Sequence, residues 1–247
     1  MLKRFGRVLT AVAVVASLAA CSPSGPVAGN EEKSSEWVRS EFIKMETQGG
    51  AMGEVYGALR IAEPEIYEKF IEAASRNIAS GQPAAEAGFA AGAEVRPLYL
   101  ERFTELGKTA VDEDINELLA FSGDQMAALM AIDPQLCVIV ANGGADPRIQ
   151  QLSKTMINRE MSIMARVIRA GKQNGAAASQ DELNTWITKF ATEYPAEVQA
   201  LGMMAKPSPT NEEATTICNG NIAMTKALGK EEPATRAKLF RGLLQQT

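Results

Sequence analysis

From about residue 34 onward, apolar side chains recur every three to four positions, the spacing that lays one apolar stripe along an α-helix. The pattern predicts helices near residues 35–47, 51–62, 64–80, 84–106, 113–131 and 134–141. Two later helices announce their starts. Ser179-Gln-Asp-Glu182 and Thr210-Asn-Glu-Glu213 are capping boxes, in which hydroxyl and carboxylate satisfy backbone donors that a helix start leaves unbonded. Leu183, Ile187, Phe190 and Tyr194 follow the first at helical spacing, and Ala214, Ile217, Cys218, Ile222 and Leu228 the second.

Pro64, Pro83, Pro147 and Pro233 stand where a first helical turn tolerates a missing N–H. The segment from Pro147 to Ala170 carries two adjacent stripes, Ile149, Leu152, Met156, Ile163 and Val167 beside Met161, Met164 and Ile168, so it predicts one long helix packed from two sides. Pro97 is expected to kink or divide the helix at 84–106. Cys137, Val138, Ile139 and Val140 form the only β-branched run, and it follows an Asp-Pro helix start. Joints at 142–147, 171–178 and 205–209 are short enough for helix hairpins, and no repeat near 34 or 40 residues recurs. The expected architecture is all-α: a single-domain bundle of about eight to ten amphipathic helices over residues 34–247.

The first 33 residues break this pattern. Lys3, Arg4 and Arg7 precede an uncharged run of 13 residues from Val8 to Ala20, too short for the roughly 20 residues that span a bilayer and typical of an export signal. The run ends in Leu18-Ala19-Ala20-Cys21, which resembles the lipobox of bacterial lipoproteins. That resemblance implies cleavage before Cys21, diacylglycerol on its sulfur and an acylated amino terminus. Several acyl chains make an effectively permanent anchor. Ser22 in the next position resembles an outer-membrane rather than inner-membrane address. Residues 22–33, rich in Pro, Gly, Ser and charge, read as a flexible tether of roughly 20 Å. The domains expected are thus a signal peptide at 1–20, a lipidated Cys and tether at 21–33, and a helical domain at 34–247.

Charge and composition then narrow the chemistry. Removing residues 1–20 takes away three basic residues and no acid, moving the net charge from −5 to −8. An acidic domain argues against a nucleic-acid partner and against adhesion to anionic lipid, so the membrane is reached through the acyl chains. The chain contains no His, which removes imidazole bases, Ser-His-Asp and Cys-His relays and His-ligated metals. No cofactor and no metal site is expected.

Beyond Cys21, two cysteines remain, Cys137 and Cys218. In an oxidising compartment an even pair suggests a disulfide; the alternative is two separate buried thiols. Eight methionines follow residue 125, and Met126, Met130, Met161 and Met164 share helix faces. They read as core filling, with a pliable apolar ligand groove or a thioether copper site as alternatives. Asp112, Asp114 and Asn116 imitate the start of a calcium loop, but Glu117 and Gly123 break it, so the acids instead suit a helix N-terminus. Glu63, Glu94 and Glu160 lie nearest the apolar stripes and are the carboxylates a lysozyme-like cell-wall glycosidase would need. None is followed by the Ser of the lytic transglycosylase motif. Arg159, Arg166 and Arg169 share one helix surface, as any solvated face does.

The function expected is a membrane-anchored, periplasm-facing, non-enzymatic binding or scaffold component of the cell envelope, whose partner would be an envelope protein or an apolar ligand. The rivals are a carrier of a lipid in a Met-lined groove and a single-Glu glycosidase.

Overall fold

The computed structural model describes residues 29–206 and 208–246. The expected signal peptide, Cys21 and most of the expected tether lie outside the described residues. Every regular element among the described residues is helical, and none of these helices is long and apolar enough to cross a membrane. Eleven α-helices are present among the described residues, one above the expected range. The helical region forms two compact units, residues 29–103 with 157–171 and residues 104–156 with 172–246.

In the first unit, α1 (Glu31–Gln48) starts earlier than the sequence pattern suggested, because the Asn30 side chain accepts the Lys33 N–H at 2.9 Å and Glu31 and Glu32 face the positive helix end. It packs on α2 (Gly50–Ala62) and α3 (Pro64–Ala79). Their shared core is aromatic. Phe42 stacks on Tyr56 with centroids 4.1 Å apart, and Phe70 and Tyr67 lean on the same ring at 5.3 and 5.8 Å. The next helix, α4 (Ala84–Gly107), belongs to this unit as far as Phe103 and continues through Pro97 undivided.

The segment from Pro147 to Ala170 is not one helix. Pro147–Gln151 makes a 3-10 turn, Leu152 is extended, and α7 (Lys154–Ala170) begins afresh. Asp146 explains the separate turn: its carboxylate caps the Arg148 N–H at 2.9 Å and also binds the Arg148 guanidinium. Of the two apolar stripes expected on α7, Met161, Ile163, Met164, Val167 and Ile168 are buried and Met156 is half-buried.

The second unit is built around α10 (Asn211–Gly229), which packs on α5 (Asp112–Ile132), α6 (Pro134–Ala141), α9 (Pro195–Gly202) and α11 (Pro233–Leu244). The remaining helix, α8 (Gln180–Glu193), packs on α9 and α11. Helix α9 is the unforeseen one: Pro195 occupies its first turn, and Tyr194 ends α8 and begins α9. The Sγ atoms of Cys137 and Cys218 lie at bonding distance, 2.13 Å, joining α6 to α10.

Candidate functional site

The groove with the most legible chemistry lies in the second unit between α8 and α11. Two local devices place these helices together. The Ser179 hydroxyl accepts the Glu182 N–H at 3.3 Å and the Glu182 carboxylate accepts the Ser179 N–H at 2.7 Å, so α8 starts where the capping box predicts. The strand-like segment before it is held against α11 by the Ala178 N–H, which donates to the Lys238 carbonyl at 2.9 Å. Close approach then depends on Gly242, where an added Cβ would stand 3.0 Å from Leu183 and 3.2 Å from the Ala178 carbonyl.

Arg241 fixes the other side of α11. It is fully buried; its Nε donates to the Ala110 carbonyl at 2.7 Å, its Nη1 to the Ala176 carbonyl at 2.8 Å, and its Nη2 pairs with Asp112. Gly175 makes room for it, since a Cβ there would meet the Ala110 carbonyl at 2.3 Å and the guanidinium at 2.5 Å. Residues 171–178 are therefore a strap bound to Thr109, Arg241 and Lys238 rather than a hairpin turn.

The groove has a volume of about 440 Å³ and opens to solvent. Trp186, Leu239 and Ala178 form its apolar floor. Around them stand Asp181, Glu182, Thr185, Lys189, Glu231, Thr235 and Lys238. Two ion pairs cross it, Lys189 to Glu231 and Lys238 to Glu182, both at 3.1 Å. The Ser179 amide and the Lys238 ammonium hold the Glu182 carboxyl below its ordinary value, and Glu231 raises the Lys189 ammonium. Along α8 the floor continues as a ladder: Trp186 stacks on Phe190 at 5.4 Å and Phe190 on Tyr194 at 5.1 Å. The Lys230 ammonium closes the ladder, donating to the Tyr194 hydroxyl at 2.7 Å. The sequence pattern placed Leu183, Phe190 and Tyr194 on this stripe; Trp186, one turn before Phe190, was the available signal for the groove.

No family model, curated protein or solved structure matches the chain. The site is therefore read from its own chemistry.

The residues singled out in the sequence are distributed as follows. Cys137 and Cys218 come together, and Met126 packs on them with its Sδ 3.6 Å from Cys137 Sγ. Met126 and Met130 belong to the second unit, Met161 and Met164 to the first; Met126, Met161 and Met164 are buried and Met130 half-buried. Asp112, Glu113 and Asp114 form the first turn of α5, as the helix-end reading expected. Asp112 is committed to Arg241, and Asn116 binds the Pro233 carbonyl and the Arg236 guanidinium. Among the described residues no group of three or more Cys, Asp and Glu could hold a metal ion.

Each glutamate considered for acid catalysis faces an arginine. Glu63 pairs with Arg102 at 2.6 Å and Glu94 with Arg76 at 2.7 Å. Glu160 is buried, and its charge acts on Arg96, whose guanidinium burial pushes down, and on Tyr99, whose phenol burial pushes well up. Arg169 donates to the Glu54 carbonyl at 3.1 Å.

Proposed function

We propose that this protein is an exported, acyl-anchored binding component of a bacterial cell envelope, held at the membrane by lipid on Cys21. The Leu18-Ala19-Ala20-Cys21 box motivates the anchor. The observation that carries export is the Cys137–Cys218 pair at bonding distance inside the second unit, because disulfides persist in oxidising compartments and are rare elsewhere. The groove between α8 and α11 supports a binding role: a concave apolar floor with convergent polar groups is the usual form of a small-molecule site.

Membrane fractionation tests the anchor. The wild-type chain, expressed with its own leader in a bacterial host, is expected in the membrane fraction and in the detergent phase after phase separation; Cys21→Ser is expected to leave both. A wild-type chain that stays in the aqueous phase would overturn the proposal.

A further inference from the structure

We infer that the first unit turns one end to the bilayer, the end where α1 starts and α3 gives way to α4, and rests it against the lipid headgroups; this inference rests on the Cys21 anchor proposed above. The Gly29 N–H donates to the carbonyl of Ala79, the last residue of α3, at 2.9 Å. From there α1 runs antiparallel to α3, since Arg39 meets Glu68 at 2.6 Å and the Phe42 ring meets that of Tyr67 at 5.8 Å. The turn into α4 is tied down at the same end. The Ser80 N–H donates to the Arg76 carbonyl at 3.0 Å, the Gly81 N–H to the Ile78 carbonyl at 2.9 Å and the Gln82 N–H to the Asn77 carbonyl at 3.2 Å. The tether, expected from the sequence to run to residue 33, therefore reaches its first fixed point at Gly29, eight residues beyond Cys21.

Reach decides the orientation. Eight residues span at most about 28 Å when fully extended, and α1, 18 residues long, measures about 27 Å. Bringing the opposite end of α1, at Gln48, to the bilayer lifts Gly29 by the length of the helix. That consumes the whole reach of the tether and the conformational freedom of every residue in it. With the Gly29 end towards the bilayer, no stretching is required. The exposed side chains at this end are polar or small, among them Glu31, Glu32, Lys33, Gln82, Ala85 and Glu86. The large apolar side chains exposed among the described residues, Ile43, Ile61 and Val111, belong to none of these segments, so this end offers no apolar wedge to the hydrocarbon. Its three carboxylates against one ammonium oppose an anionic lipid surface. The partner this surface fits is a zwitterionic headgroup layer, with the acyl chains supplying the attraction.

The test uses the full chain, expressed with its own leader, purified from host membranes and added to preformed zwitterionic vesicles that carry an acceptor dye on the lipid headgroup. A donor dye is placed on Gln82→Cys or on Gln48→Cys, exposed positions at the two ends, and the wild-type chain taken through the same labelling gives the background. Energy transfer from position 82 is expected to exceed that from position 48 at least about twofold. Inserting about 20 Gly and Ser residues after Ala28 lengthens the reach well beyond α1 and is expected to level the two. Equal transfer from both positions, greater transfer from position 48, or a difference that survives the insertion overturns the assignment. Acylation of Cys21 is read by mass on the same preparation. Acylated, vesicle-bound protein with equal transfer loses the orientation and keeps the anchor; a Cys21 without lipid overturns the anchor and the orientation with it.

Discussion

Arg241 has the heaviest individual role in the second unit, because a fully buried guanidinium there satisfies two carbonyls from separate loops and one carboxylate. Removing it strands the Ala110 and Ala176 carbonyls, each a loss of about 1–3 kcal/mol where buried. Arg241→Met is therefore expected to lower unfolding stability by about 3 kcal/mol, whereas Asp112→Asn, at a side chain 51% exposed, keeps an acceptor and should cost under about 1 kcal/mol. Urea titration followed by circular dichroism checks both, and equal losses would refute the division of labour. Arg241 stood in view in the sequence, an isolated charge within Leu239-Phe240-Arg241-Gly242-Leu243-Leu244. Its acceptors were not legible, because Ala110 and Ala176 offer only backbone and lie 131 and 65 residues away.

At the scale of elements, the local signals were the reliable ones. Ser179 with Glu182 and Thr210 with Glu213 form both halves of their capping boxes, since each device is complete within four residues and needs no tertiary partner. Thr210→Ala should cost about 1 kcal/mol and Thr210→Ser almost nothing, measured by thermal unfolding. The sequence pattern failed where a short element interrupted a long stripe. The stripe over 147–170 continues across Leu152, but the Asp146 cap and its Arg148 pairing make a separate 3-10 turn. Helix α9 was hidden because Pro195 follows directly on the stripe of α8. Pairing of α6 with α10 through Cys137 and Cys218 closes a separation of 81 residues, which stabilises by about 4–5 kcal/mol if chain entropy is the source. Thiol labelling of exported protein under denaturing, non-reducing conditions is expected to find neither thiol; two labelled thiols would contradict the bridge.

For the whole molecule, the absence of His sets the pH response. No side chain has an ordinary pKa between about 5.5 and 8, so the melting temperature should be flat across that range. The Arg39 hydrogen bonds hold Glu68 low and those of Arg148 hold Asp146 low. Carboxylates depressed in the folded state contribute stability above their unfolded values near 4 and lose it as pH falls through the folded ones. Melting temperature should therefore drop below about pH 4. At the alkaline end Tyr99 and Tyr67, pushed up by burial, contribute stability that is lost as pH rises past about 10. A melting temperature that changes markedly between pH 6 and 8 would contradict this account.

The all-α class was readable from period and caps alone, but the groove was not, because its walls come from α8 and α11, about 50 residues apart in the chain. Trp186, four residues before Phe190, was not singled out in the sequence pattern. The proposed anchor stands in the opposite position, motivated by four consecutive residues that end at Cys21. The most direct test is therefore the intact mass of the mature N-terminal peptide, recovered from host membranes. The account predicts a chain that begins at Cys21 and carries diacylglycerol with an added acyl group; a chain that begins elsewhere, or an unmodified Cys21, would contradict it.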